Sequence, residues 1–167
     1  MKVALLINNQ DVKRYSPLVG SLDDDKLSGY VEQAQNIHLE NYLGTKLYDA
    51  IQVHILKGTL PAEYELLIDK YIKPMLIRWV LVEFLPFAPY NVSNKGIFKG
   101  KSENSEPIDK DELDDMILNS TNTAKHYTKR LIEFLCNNSS DYPEYNTNVG
   151  SDMYPSRNNS YGGIYFN

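Results

Sequence analysis

Apolar residues fall into two blocks, 25–90 and 108–136, while residues 137–167 are mostly Asn, Ser, Tyr, Gly and Asp. The pattern therefore predicts a packed core followed by a tail. Leu27, Tyr30, Val31, Ala34 and Ile37 recur at helical spacing after the run Asp23, Asp24 and Asp25, whose negative charge suits a helix N-terminus. Gly44 ends that helix and Thr45 is placed to cap a second, carried by Leu47, Tyr48, Ile51 and Ile55 as far as Gly58. A third starts near Pro61 with the stripe Tyr64, Leu67, Ile68, Tyr71, Ile72, Met75, Leu76, Trp79 and Val80. Its second half is apolar on every side and must be enclosed by other helices. Pro74 lies inside it and predicts a kink or break, and Pro86 and Pro89 end it.

Asp109 followed by Glu112 has the spacing of a capping box, and Ile108 and Leu113 that of a hydrophobic staple, so a fourth helix runs from there to Cys136. Its middle, Asn119 to Thr123, has poor helix propensity, so packing must hold it or it bends. Residues 90–107 read as a long loop or loose hairpin with Ile97 and Phe98 as apolar anchors. At the start, residues 1–7 read as a short strand, because an apolar run from Val3 to Ile7 is too short for a signal-peptide core. The expected architecture is mainly all-α: residues 1–22 as an N-terminal extended segment, 23–136 as a bundle of about four helices, and 137–167 as an extended C-terminal arm.

With 167 residues the chain fits one ordinary domain with arms. Seventeen Lys and Arg against 22 Asp and Glu leave a net charge of −5, which argues against a sequence-independent nucleic-acid binder. The single cysteine, Cys136, cannot form an internal disulfide and is expected to be reduced and buried. No apolar stretch is long enough to span a bilayer, so the expectation is a soluble, intracellular protein without membrane contact. His38, His54 and His126 have no metal-binding spacing, and no phosphate-loop, dinucleotide or nucleophile-elbow motif occurs. Neither an enzyme nor a cofactor is expected. The acidic clusters stand at helix starts, where capping accounts for them. Sequons such as those at Asn91, Asn119, Asn138 and Asn158 are attributed to an Asn-rich composition.

The tail carries Tyr142, Tyr145, Tyr154, Tyr161, Tyr165 and Phe166, separated by Pro143, Pro155, Gly150, Gly162 and Gly163. Such a segment cannot build its own core, and one reading is a disordered terminus. Its aromatic content favours another: an arm that orders on a partner.

The stretches Ala34 to Leu39, Tyr42 to Tyr48, Ile72 to Met75, Trp79 to Tyr90, Asn94 to Gly96, Ser102 to Glu106 and Asp152 to Pro155 together resemble the head-to-tail connector (adaptor) proteins of tailed bacteriophages, most closely those of crAss-like phages. That resemblance implies a helical bundle assembled as a ring, commonly twelvefold, beneath the portal protein in the virion neck. The ring extends the DNA channel, through which DNA passes without specific binding, and docks other neck or tail proteins. On this reading the six tail aromatics contact portal or a neighbouring copy, and the loop with Asn94, Gly96, Ile97 and Phe98 reaches a neighbouring subunit. A stopper or tail-completion ring is the nearest alternative. A helical DNA-binding regulator is a further one, with Lys125, Lys129 and Arg130 its most basic stretch.

Overall fold

Capping and punctuation residues set the helix limits in the computed structural model, which describes residues 3–17, 24–93, 96–99, 108–147, 150 and 152–158. The chain is mainly helical. Helix α1 (Asn9–Tyr15) opens on a reciprocal capping box, in which the Asn8 side chain accepts from the Asp11 amide at 2.8 Å and Asp11 accepts from the Asn8 amide at 3.2 Å. This corrects the expectation of an entirely extended segment over 1–22. The expected strand over 1–7 is also absent among the described residues. The Ala4 and Leu6 amides instead donate to the Gln52 and Gln35 side chains, and Gln35 and Gln52 donate back to the Ala4 carbonyl. Two buried side-chain amides thus take the place of a neighbouring strand.

Helix α2 (Asp24–Ala34) runs through a π-helical turn, Gln35–Leu39, into α3 (Glu40–Leu43). Of the expected acidic cap, Asp23 lies outside the described residues. Gly44 then turns the chain into α4 (Thr45–Lys57), which ends at Gly58 in the left-handed conformation. Thr45 does not cap α4 as expected; it is the first helical residue, and its hydroxyl bonds elsewhere.

Helix α5 (Ala62–Leu67), a second π-turn at Ile68–Ile72, and α6 (Lys73–Phe84) form the central rod. The kink predicted from Pro74 takes the form of that π-turn. A proline ring clashes with the carbonyl four residues back and leaves it without a donor. The wider turn, closed by the Lys73 amide on the Ile68 carbonyl, accommodates both effects. A 3-10 turn, Leu85–Phe87, leads to an antiparallel hairpin of β1 (Tyr90–Ser93) and β2 (Gly96–Lys99), paired from Tyr90 with Lys99 to Ser93 with Gly96. This is the hairpin alternative of the sequence reading.

Helix α7 (Lys110–Asn137) begins at the expected Asp109–Glu112 capping box and is continuous over 28 residues. In and beyond its polar middle, Thr121, Thr123 and Thr128 donate their hydroxyls to carbonyls one turn back, so their polar groups are satisfied within the helix. The core lies where α6 packs between α2 and α7, and α6 buries Met75, Leu76, Ile77, Trp79, Val80 and Leu81. Among the described residues, no helix is long and apolar enough to cross a membrane.

Candidate interaction surfaces

The described residues after α7, 138–147, 150 and 152–158, do not extend away as an arm, and this is the main correction to the sequence reading. Pro143 opens a 3-10 turn, Pro143–Tyr145, which packs against α4. Tyr142 and Tyr145 on either side of that proline are 1% and 0% exposed. Tyr142 donates its hydroxyl to the Glu63 carbonyl at 2.9 Å, and its ring meets the edges of Tyr64 and Phe134. Tyr64 in turn donates to Glu144 at 2.7 Å, and burial and that carboxylate raise its phenol above the ordinary range. Burial pushes the Tyr145 phenol up to about 12. Both rings are core residues of their own bundle and are not available to a partner. The physical reason is that α4, α5 and α7 leave an aromatic slot which the turn, set by Pro143, fills.

Residues 152–158 are also fastened to the bundle. The Thr45 amide donates to the Met153 carbonyl at 3.1 Å, the Met153 amide donates to the Thr45 hydroxyl at 2.9 Å, and the Ser156 amide donates to the Asn41 carbonyl at 2.8 Å. Pro155 is buried directly over Gly44. Tyr154 points the other way and is 63% exposed. Of the other expected interface residues, Tyr161, Tyr165, Phe166 and Asn94 lie outside the described residues. Gly96, Ile97 and Phe98 form the second strand of the hairpin.

A polar cluster inside the bundle was not foreseen. His38, 1% exposed in the first π-turn, stacks on Trp79 with ring centroids 3.8 Å apart and hydrogen-bonds Glu83 through Nε2 at 2.7 Å. Gln33 donates to the other Glu83 oxygen, and Trp79 donates to the Thr128 hydroxyl at 2.9 Å. These contacts tie α2, α6 and α7 together and hold the Glu83 carboxyl below the usual carboxylate range, chiefly through the His38 hydrogen bond. Cys136, expected to be buried, is exposed at the end of α7.

Among the described residues, two surfaces stand out as candidates for contact with a partner. Trp79 meets Thr128 and Tyr71 stacks on Phe134, so α6 and α7 are antiparallel. From Thr128 back to Lys110 α7 runs about 27 Å, whereas α6 has about 8 Å left from Trp79 to Phe84. The N-terminal half of α7 therefore overhangs, and among its described residues none before Ala124 is buried. Met116 and Leu118 are 44% and 58% exposed there, and Asp111, Glu112, Asp114 and Asp115 are all exposed.

The second surface is a ladder of cations and rings along the seam of the central rod and the other half of α7. Lys70 lies over Tyr71, Arg130 over both Tyr71 and Tyr127, and Arg78 over Tyr127, each cation 5.7 to 6.0 Å from the ring centre. Beside it opens a cleft of about 370 Å³ with the carboxylates Asp11 and Asp69, the cations Lys73 and Arg78, and Tyr15, Pro74, Ile77 and Tyr127 in its walls. Arg130 belongs to the basic stretch of the sequence, but nothing in the sequence places tyrosines between the cations. Their spacing on two helices distant in sequence carried no signal.

The model of a family of unknown function, DUF6712, matches residues 39–153, a stretch that runs from the end of the first π-turn through the buried tail turn to Met153. No curated protein and no solved structure matches the chain.

Proposed function

The chain belongs to the DUF6712 family of unknown function, and we propose, from the sequence resemblance and the exposed half of α7, that it is a non-enzymatic structural protein of the phage virion, a head-to-tail connector. In this role copies form a ring, twelvefold by the resemblance, beneath the portal protein. They extend the DNA channel and dock tail components, and DNA passes without specific binding. The observation that carries the reading is the overhanging half of α7. Among the described residues, Met116 and Leu118 are 44% and 58% exposed on the stretch of α7 that runs past the end of α6, an apolar pair that a neighbouring copy would cover. The chain segments quoted for the resemblance support it in a second way: Tyr42 to Tyr48 and Asp152 to Pro155, more than a hundred positions apart, meet at the Gly44–Pro155 contact.

With Tyr142 and Tyr145 in the core, the partner-binding part of the tail is reduced to Tyr154 and the terminal rings Tyr161, Tyr165 and Phe166. The test is cosedimentation with portal protein of the full chain, a chain ending at residue 158, and Tyr154→Ala. The full chain is expected to cosediment, and both variants to fold but bind at least about tenfold more weakly, since interface tyrosines are frequent anchors. Equal binding by all three would remove the tail from the docking surface, and no binding by the full chain would sink the connector role. Another neck ring, stopper or tail-completion protein, would show the same behaviour with a different partner. A second reading, a phage DNA-binding regulator, has only the positive charge of Lys70, Arg78 and Arg130 in its favour and requires salt-dependent DNA binding in a shift assay.

A further inference from the structure

We infer that the acidic, overhanging head of α7 in one copy docks head-to-tail on the Lys70–Tyr71–Arg130–Tyr127–Arg78 ladder of the next copy. The inference rests on the connector reading for the closure of the ring, but the contact itself is argued from charge, shape and distance. The head carries Asp111, Glu112, Asp114 and Asp115, all exposed, beside the exposed Met116. The ladder carries Lys70, Arg78 and Arg130, and among the described residues none of the three has a carboxylate within ion-pairing distance. Opposite charge on the two surfaces steers and registers an encounter.

The two surfaces cannot satisfy each other within one chain. Asp115 and Arg130 sit on the same continuous helix, about 22 Å apart along its axis. They can meet only between copies. Because the head differs from the ladder, such a contact is heterologous, and repeating it gives a closed ring or an open filament according to its rotation. The cleft beside the ladder has a mixed lining, with Tyr15, Pro74 and Ile77 as apolar contacts for Met116, Asp69 already paired with Lys73 at 2.6 Å, and Asp11 the carboxylate that the incoming head must avoid. A nucleic acid is the less fitting occupant: Tyr71 is stacked on Phe134 at 4.0 Å, and guanidinium groups cover both tyrosines, so neither ring is free to stack on a base.

The experiment is sedimentation velocity on the full chain from about 1 µM to about 1 mM, the range of weak to moderate association. A ladder variant, Arg78→Glu with Arg130→Glu, is compared with a head variant, Asp111→Lys with Asp115→Lys. The head variant spares the cap residues Asp109 and Glu112. Arg78→Gln with Arg130→Gln and Asp111→Asn with Asp115→Asn stand in if a reversal fails to fold, as judged by Trp79 fluorescence. The wild type is expected to self-associate, and each variant alone to do so at least about tenfold more weakly. Mixing the two reversed variants should restore association, since the original head of one meets the original ladder of the other and the reversed head meets the reversed ladder. A chain carrying all four reversals should associate again.

A wild type that stays monomeric throughout overturns the inference. So does association that neither variant alters, which would leave the ring and relocate its interface. Oligonucleotide binding that the ladder variant abolishes, with self-association unchanged, also overturns it. Portal cosedimentation reports on the connector role separately from all three results.

Discussion

Gly44 sits at φ 73° and ψ 154°, a region that only glycine occupies readily, and a Cβ built there would lie 2.7 Å from Pro155 Cδ. Both effects oppose a side chain. Gly44→Ala should therefore destabilise the protein by about 1–3 kcal/mol in urea unfolding, with loss of hydrogen-exchange protection at the Met153 amide. Glu83 provides a second check. Its folded carboxyl titrates below its unfolded value because His38 and Gln33 hydrogen-bond the ionised form. That stability is present above the ordinary glutamate pKa and is lost as pH falls from about 4.3 through the lower folded value. The acid side of the stability curve should be shallower in Glu83→Gln than in the wild type, as read by denaturant titrations across that window. The sequence did not disclose this pair: His38 and Glu83 become neighbours only when α2 packs on α6.

At the scale of elements, the tail turn changes what a truncation does. The sequence reading implies that a chain ending at residue 137 keeps its fold. With Tyr142 and Tyr145 buried, removing them opens the slot among α4, α5 and α7. Loss of a buried aromatic side chain costs about 3–5 kcal/mol, a large share of a typical domain stability of about 5–15 kcal/mol. A chain ending at 137 should lose at least about 3 kcal/mol, or fail to fold, whereas one ending at 158 should unfold at nearly the wild-type urea midpoint. Local chemistry made much of the rest legible: the Asp109–Glu112 box, Gly44, Gly58 and Pro86 mark helix ends by interactions within a few residues. Asn8 and Asp11 carry a capping signal for the short helix α1, but the apolar run just before them has the pattern of a strand, and the two local signals compete. The tail turn left a weaker trace, two tyrosines three apart around a proline.

Over the whole molecule, one contiguous core runs from Leu6 to Tyr145 and joins the N-terminal segment, every long helix and the tail turn. Unfolding should then be a single cooperative transition. Trp79, the one tryptophan, lies at its centre with no exposed surface, so its fluorescence and far-ultraviolet ellipticity should give coincident curves. An earlier loss of ellipticity would show that the overhanging half of α7 melts independently.

The sequence alone determined the helical class, most helix boundaries and the exposed charge at the start of α7, because caps, prolines and apolar periodicity act over a single turn of chain. Only the tertiary structure decided that two glutamines would hold the first residues, that two tail tyrosines would go inward while Tyr154 stayed out, and that cations would line up on rings from two helices. Each of those outcomes depends on a buried group finding a partner far along the chain, and such a partner exists only once the helices have packed.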